Sequence, residues 1–307
     1  MGGLECKVCG EKFPTQKELH KHIRKEHGLY CADYYTQYYP KVNLLTGRPI
    51  PYRGNADNYL SEDFFNKEEM FAWIRSAPKT EVSEWMLNRL KSRIEEKKLK
   101  YAPSHAELET IFMPSCIDYE LIFGSYENAC SKIGAEPLLK TNKKLPGLKL
   151  KNPEICIDTR EQKPLEFKNS KTIALAFADY TLSGDEYNYT YVDRKSGSDF
   201  LGTFGKQIKR FEKEMDKAIG MDSFVYVVVE ESIESVKSGG NRLKKSINVE
   251  YPFKNMREIM HKYPRKIQFI FTGSRLSSQK IIPYLLGFGE DLWDCDAYFT
   301  LRKKGLV

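Results

Sequence analysis

Residues 224–229 are apolar at every position and rich in β-branched side chains, the pattern of a strand covered on both faces. Residues 267–272 read as a second such strand, and 281–288 as a helix after them. Across 199–218, apolar residues fall at Leu201, Phe204, Ile208, Phe211 and Met215, a three-four spacing that marks one face of a single helix. Upstream, Ile155-Cys156-Ile157 leads as a short strand into Asp158. Residues 175–180 continue as an apolar strand and 191–196 form another, with a hairpin between Asp179 and Asp193. Helical pattern dominates from 66 to 99, broken at Pro78.

The chemistry concentrates in these upstream strands. Successive strand side chains alternate faces, so Asp193 and Lys195 point one way and Arg194 the other. Carboxylates beside a lysine are what phosphodiester hydrolysis needs: the acids hold a hard divalent cation, and cation plus lysine steady the attacking water and the developing charge. A lone D-x-K pair is more often solvated surface charge. Here its context argues for a site, because further acids arrive on neighbouring strands at Asp158 and Asp179. Glu230 ends its own strand near them and reads as a satisfied strand-end acid.

The runs I-D-T-R-E at 157–161, A-D-Y at 178–180 and V-D-R-K-S-x-S-D-F at 192–200 resemble the XPF-type (ERCC-type) branch of the PD-(D/E)XK nucleases, whose pattern is V-D-x-R-E, G-D, E-R-K-x-x-x-D. The resemblance covers about the last half of the chain. It implies that Asp158, Asp179 and Asp193 are the metal-binding acids, for Mg2+ or Mn2+, and that Lys195 is the catalytic lysine. Arg194 and Asp199 complete the motif, and Arg160 and Glu161 match the upstream arginine and acid. Two positions depart: the family's G-D is Ala178-Asp179, and its glutamate is the shorter Asp193. A literal Gly184-Asp185 lies nearby but reads as a turn, so Asp179 is preferred.

The N-terminus carries Cys6-x2-Cys9-x12-His22-x4-His27 with Phe13 and Leu19 between. Zinc takes four tetrahedral N/S ligands, and so small a unit does not fold without them. This spacing resembles a zinc finger with two cysteines and two histidines. In DNA-reading fingers the contacting positions would be Thr15, Glu18 and Lys21, with Lys17 adding charge; the alternative is a structural or protein-binding finger. His20 is expected to be exposed. Residues 101–139 resemble the helical repeat found beside homing endonucleases, through Pro103-Ser104, Pro114-Ser115, Phe123-Gly124-Ser125-Tyr126 and Gly134. Ser104, Ser115 and Ser125 read as helix N-caps; the alternative here is a helical spacer.

Net charge is +7 over 307 residues, a modest bias toward a polyanion. Lys143 and Lys144 sit in a basic stretch suited to a DNA backbone, or to solvation alone. The cations of 199–218 (Lys206, Lys209, Arg210, Lys213, Lys217) leave the same two readings open. Seven cysteines, two of them given to zinc, leave five scattered thiols, expected to be free in a reducing cytosol. No long apolar span suggests a membrane role. The clustered tyrosines at 30–39 are expected to pack the finger against the next helices.

Together these readings predict a multi-domain α+β protein: a ββα zinc finger (1–28), a tyrosine-rich and helical connecting region (29–100), a helical DNA-binding repeat (101–139), a basic linker (140–152) and a C-terminal α/β restriction-endonuclease-like domain (153–307). The expected activity is metal-dependent cleavage of double-stranded DNA by a site-directed, homing-type endonuclease of a phage or mobile element, acting in the cytoplasm, with a homodimer for double-strand breaks. The rival readings are a structure-specific nuclease and a non-catalytic DNA-binding regulator.

Overall fold

The computed structural model describes residues 4–143, 153–242 and 248–307. The chain forms two compact units, 1–82 and 83–307, and each is described by itself.

The first unit begins with β1 (Leu4–Glu5) and β2 (Lys12–Phe13), an antiparallel pair, followed by α1 (Gln16–His27). Thr15 caps α1 through its side chain, and Gly28 ends it in the left-handed conformation that glycine adopts freely. α2 (Cys31–Tyr38), α3 (Ala56–Ser61) and α4 (Lys67–Ser76) come after it. Leu19 and Ile23 of α1 share one core with Tyr34, Tyr35, Ile50, Ala56 and Tyr59. The tyrosines thus act as packing, and the small ββα element gains a hydrophobic core that it lacks alone. His20 departs from expectation: it is half-buried, its Nε2 3.0 Å from the Tyr35 hydroxyl. Gln16 Nε2 donates to Asp57, so 16, 20 and 23 form the covered face of α1.

α5 (Lys79–Lys97) contains the boundary between the units. In the second unit, α6 (His105–Thr110), α7 (Cys116–Phe123) and α8 (Tyr126–Lys132) are N-capped by Ser104, Ser115 and Ser125, the first two as capping boxes with Glu107 and Asp118. Strands β3 (Ile155–Asp158), β4 (Ser170–Ile173), β5 (Tyr180–Leu182) and β6 (Thr190–Lys195) come next. The chain continues through α9 (Gly197–Gly205), α10 (Ile208–Gly220), β7 (Phe224–Val229), α11 (Ile233–Arg242), α12 (Glu250–Lys262), β8 (Ile267–Phe271), α13 (Arg275–Phe288) and α14 (Ala297–Lys303). The sheet order is β4-β3-β5-β6-β7-β8. β6, β7 and β8 are mutually parallel, β3 and β4 are parallel, and β5 runs antiparallel to both of its neighbours.

Two expectations change. The predicted helix over 199–218 is two helices, α9 and α10, broken at Lys206-Gln207; the apolar spacing continues across the break because both pieces pack on the same sheet face. Residues 175–179 are irregular, and the strand starts only at Tyr180. Ala178 there adopts φ +59°, a value incompatible with strand.

Phe200, Phe204 and Phe211 of α9 and α10 interlock with Phe253 of α12 and with Phe269 and Phe271 of β8, each such pair contributing about 0.5–1.5 kcal/mol beyond its area. The segment 105–132 joins this core through Ala106. It also shares a buried polar seam: His105 N–H donates to Asp296 at 2.8 Å, Arg257 donates to Thr110, and His261 meets Glu107 at 2.9 Å. No disulfide joins the described cysteines, and burial pushes the Cys130 thiol up to about 12. No helix among the described residues is long and apolar enough to cross a membrane.

Candidate functional site

Because β5 is antiparallel to β3 and β6, the chain enters it beside the places where the other two end. Register completes the alignment: Ile157 pairs with Tyr180 and Tyr180 with Val192, so the next position on each strand sets Asp158, Asp179 and Asp193 in one row. Backbone bonds continue through that row, from Asp158 N–H to Asp179 O (2.8 Å) and from Asp179 N–H to Val192 O (3.0 Å). The three acids, with Arg160, Glu161, Arg194, Lys195 and Asp199, line one cleft of about 620 Å3.

Their carboxylates have different partners. Asp158 is 1 % exposed, and both of its oxygens are engaged. Oδ1 accepts from the Arg160 backbone N–H (2.7 Å) and Nε (2.8 Å), and Oδ2 from Arg160 Nη2 (2.6 Å) and the Leu175 N–H (3.0 Å). These bonds, led by the guanidinium, hold its carboxyl below the usual aspartate range. Asp193 and Lys195 share a strand face and meet at 2.9 Å. Burial lowers the Lys195 ammonium, but the Asp193 carboxylate outweighs it, and the net shift is upward. Asp179 accepts the Arg194 backbone N–H on Oδ2 (2.7 Å), while Oδ1 takes no protein hydrogen bond among the described residues. Burial and then the neighbouring Asp193 charge push its carboxyl far above the ordinary value.

Arg194 points to the other face, as strand alternation requires. Its guanidinium meets Glu161 at 3.0 Å and Glu230 at 2.8 Å, and Glu230 is also held by Arg275 at 3.1 Å. Glu161 and Glu230 are therefore neutralised within the protein. Asp199 accepts from the Ser196 hydroxyl (2.6 Å) at the start of α9. Asp185 lies in an exposed 3-10 turn, Gly184–Glu186, and is not among the residues that line the cleft.

The cleft's other wall is α10 with the end of α9: Thr203, Gln207, Arg210, Phe211, Glu214 and Lys217. Thr203, Gln207 and Glu214 were not singled out in the sequence. The signal for them is the polar three-four spacing complementary to the apolar stripe, which carries no chemistry until a facing wall is known.

Oxygen donors in this pattern suit a hard divalent cation. Asp179 and Asp193 fit one: two neighbouring carboxylates, the charge of Asp193 disfavouring ionisation of Asp179, whose Oδ1 is free of described protein donors, on a polar cleft.

In the first unit, Cys6, Cys9, His22 and His27 form a group that can hold a metal ion, their ligand atoms all within 4.8 Å of one another. Cys9 Sγ lies 3.3 Å and His27 Nε2 3.1 Å from His22 Nε2, close to the edges of a tetrahedron with zinc bonds of about 2.0–2.3 Å. His22 Nδ1 faces the Glu11 carboxylate at 3.5 Å, the outer partner that fixes a ligating imidazole's tautomer.

The residues expected to touch DNA are differently placed. Thr15 and Glu18 are tied to each other, Thr15 Oγ1 donating to Glu18 Oε2 at 2.9 Å. Lys17 and Lys21 are exposed. Lys143 is bound to Asp294 at 2.6 Å, together with Lys140 at 3.1 Å. Lys144 lies outside the described residues.

No family model matches the chain, and no curated protein matches it. Among solved structures, XPF from Aeropyrum pernix in complex with DNA is 16 % identical, with a TM-score of 0.33 over 44 % of this chain and 63 % of that one. XPF from Aeropyrum pernix without DNA gives a TM-score of 0.32 at the same identity and coverage. The chain therefore spans less than two thirds of the XPF chains it resembles.

Proposed function

We propose that this protein is a metal-dependent DNA endonuclease whose reaction centre is the cleft at the ends of β3 and β6. The observation that carries the reading is the convergence of Asp179, Asp193 and Lys195 on one polar cleft. The cation would be held by Asp179 and Asp193, and when bound it supplies Lewis-acid polarisation of the phosphate and a more acidic water. Lys195 places an ammonium beside that position, donating to a phosphoryl oxygen as charge develops there. Asp158 serves as a positioning residue: by accepting the Leu175 N–H and the Arg160 fork it anchors the irregular turn that delivers Asp179. Arg194 fixes the β6 end from behind through Glu161 and Glu230.

The targeting part of the reading is a site-directed, homing-type enzyme. Zinc at Cys6, Cys9, His22 and His27 would order the first unit, with Lys17 and Lys21 on the uncovered face of α1. Removing this unit would weaken site selection and leave nonspecific cutting in place, because linked weak binders gain affinity only together. The test is cleavage of plasmid and genomic DNA with Mg2+, with Mn2+ and with EDTA. Metal-dependent fragments that disappear with Asp193→Asn and with Lys195→Ala support the reading; cleavage that survives both variants sinks it.

A further inference from the structure

The five cations of 199–218 are equivalent in sequence but not in the fold. Arg210 and Lys217 line the cleft; Lys206, Lys209 and Lys213 are not among the lining residues. Lys209 is bound to Glu212 at 3.0 Å, which also holds Lys262 at 2.8 Å. Gln207, at the N-cap of α10, and Arg210, Glu214 and Lys217 have a 3-4-3 spacing, one stripe of that helix, while Phe211, Met215 and Ala218 are its buried residues.

The stripe is built to receive something. Arg210 gives its Nε to Glu214 at 3.3 Å, and its two terminal nitrogens bond no protein group among the described residues. Lys217 has no ion-pair partner among them either. Glu214 orients the guanidinium by holding one edge, so the fork faces outward. The stripe lines the same cleft as Asp158, Asp179 and Asp193. From Arg210 to Lys217 the helix advances about 10 Å at 1.5 Å per residue, comparable with about three nucleotide steps of 3.4 Å along one DNA strand.

We propose that Gln207, Arg210 and Lys217 form a phosphate-tracking wall that holds the DNA strand beside the scissile phosphate, running it along α10. This rests on the nuclease reading. It assigns to two of the five cations a role that the other three do not share. The guanidinium fork takes two oxygens of one phosphate, Lys217 takes a second phosphate as a point charge, and Gln207 donates its amide between them and the acids.

The experiment is binding of the full-length, zinc-loaded protein, in buffer without Mg2+ or Mn2+ so that nothing is cut, to a fluorescein-labelled mixed-sequence duplex of about 30 base pairs over a range of NaCl. The double variant Arg210→Ala/Lys217→Ala should lower the slope of log affinity against log salt by about 1.8, since each phosphate contact contributes about 0.9. Lys209→Ala/Lys213→Ala should leave the slope at the wild-type value, and Arg210→Lys/Lys217→Ala should recover about 0.9 of the loss. A slope for Arg210→Ala/Lys217→Ala equal to wild type, in a protein with unchanged thermal melting, overturns the wall. So does an equal fall in the Lys209→Ala/Lys213→Ala control, which would mean general charge. Cleavage in Mg2+ is read in parallel: a wild type that cuts while the slope is unmoved loses the wall and keeps the nuclease. A wild type that shows the slope change but no metal-dependent cutting loses the nuclease reading itself.

Discussion

The two candidate metal sites are assembled on opposite principles. In the first unit, two thiols and two imidazoles crowd together beside the Glu11 carboxylate, and two imidazole nitrogens face each other at 3.1 Å. Nothing among the described residues holds that arrangement as a cation would. In the cleft, the acids arrive with their own cations: Asp158 with Arg160, Asp193 with Lys195, and Glu161 with Arg194. Of the three acids in the row, Asp179 alone lacks one. On the proposed reading, the quartet is a place where metal would maintain the fold, and the cleft one where the fold would maintain a place for metal. Soft ligands on a core too small to stand alone give the first; a six-stranded sheet with its aromatic core gives the second.

The largest test of that contrast is metal removal. Structural zinc contributes on the order of 10 kcal/mol to such units, so chelation, or Cys9→Ser, should abolish hydrogen-exchange protection across 16–38 and leave β6 and β7 protected. Loss of protection in both units, or in neither, would break the comparison. Within the cleft, Asp158→Ala should cost about 3 kcal/mol in urea unfolding, because a fully buried acceptor of charged and backbone donors is removed. Asp179→Asn should do the reverse and stabilise the metal-free protein at neutral pH by about 1–2 kcal/mol while ending cleavage, since it removes a buried carboxyl that must take up a proton on folding. Equal destabilisation by the two variants would mean that Asp158 and Asp179 play the same part.

The pH dependence sharpens the same point. The Asp179 carboxyl is pushed up to about 8, so its proton stabilises the folded metal-free protein. That contribution is complete below the unfolded value near 4 and is lost as pH rises through the folded value. Metal-free stability should fall over this window, and saturating Mg2+ should suppress the fall. Mn2+ affinity measured by calorimetry should rise up to about tenfold per pH unit toward 8; a flat profile would place the cation elsewhere. The smallest effect is expected at Ala178, held at φ +59°. A non-glycine residue there costs about 1–2 kcal/mol, partly offset in the unfolded chain, so Ala178→Gly should raise stability by about 1 kcal/mol in thermal unfolding with cleavage retained.

Local signals were the legible ones. The finger spacing, the serine caps of α6, α7 and α8, the doubly buried β7 and β8, and the alternation that separates Arg194 from Asp193 and Lys195 each depend on neighbours a few residues away. Such patterns survive in one dimension. The break between α9 and α10 was hidden because a shared sheet face keeps the apolar spacing continuous through it. The irregular turn at 175–179 looked like a strand because its residues up to Ala178 are apolar in sequence, although only Phe177 of them is buried. His20 read as exposed because Tyr35, its cover, is fifteen positions away.

By itself, then, the sequence determined which chemistry was on offer: two thiols and two imidazoles at zinc spacing, and acids and a lysine at strand ends. Only the tertiary structure decided how that chemistry was divided. Whether a carboxylate is free or held depends on cations brought to it by folding, as Arg194 comes to Glu161 and to Glu230. Which lysine or arginine faces a cleft likewise depends on the wall opposite. Coulombic partners and clefts are properties of distance in space, and a linear pattern carries those distances only as far as one turn of helix or one pair of strand positions.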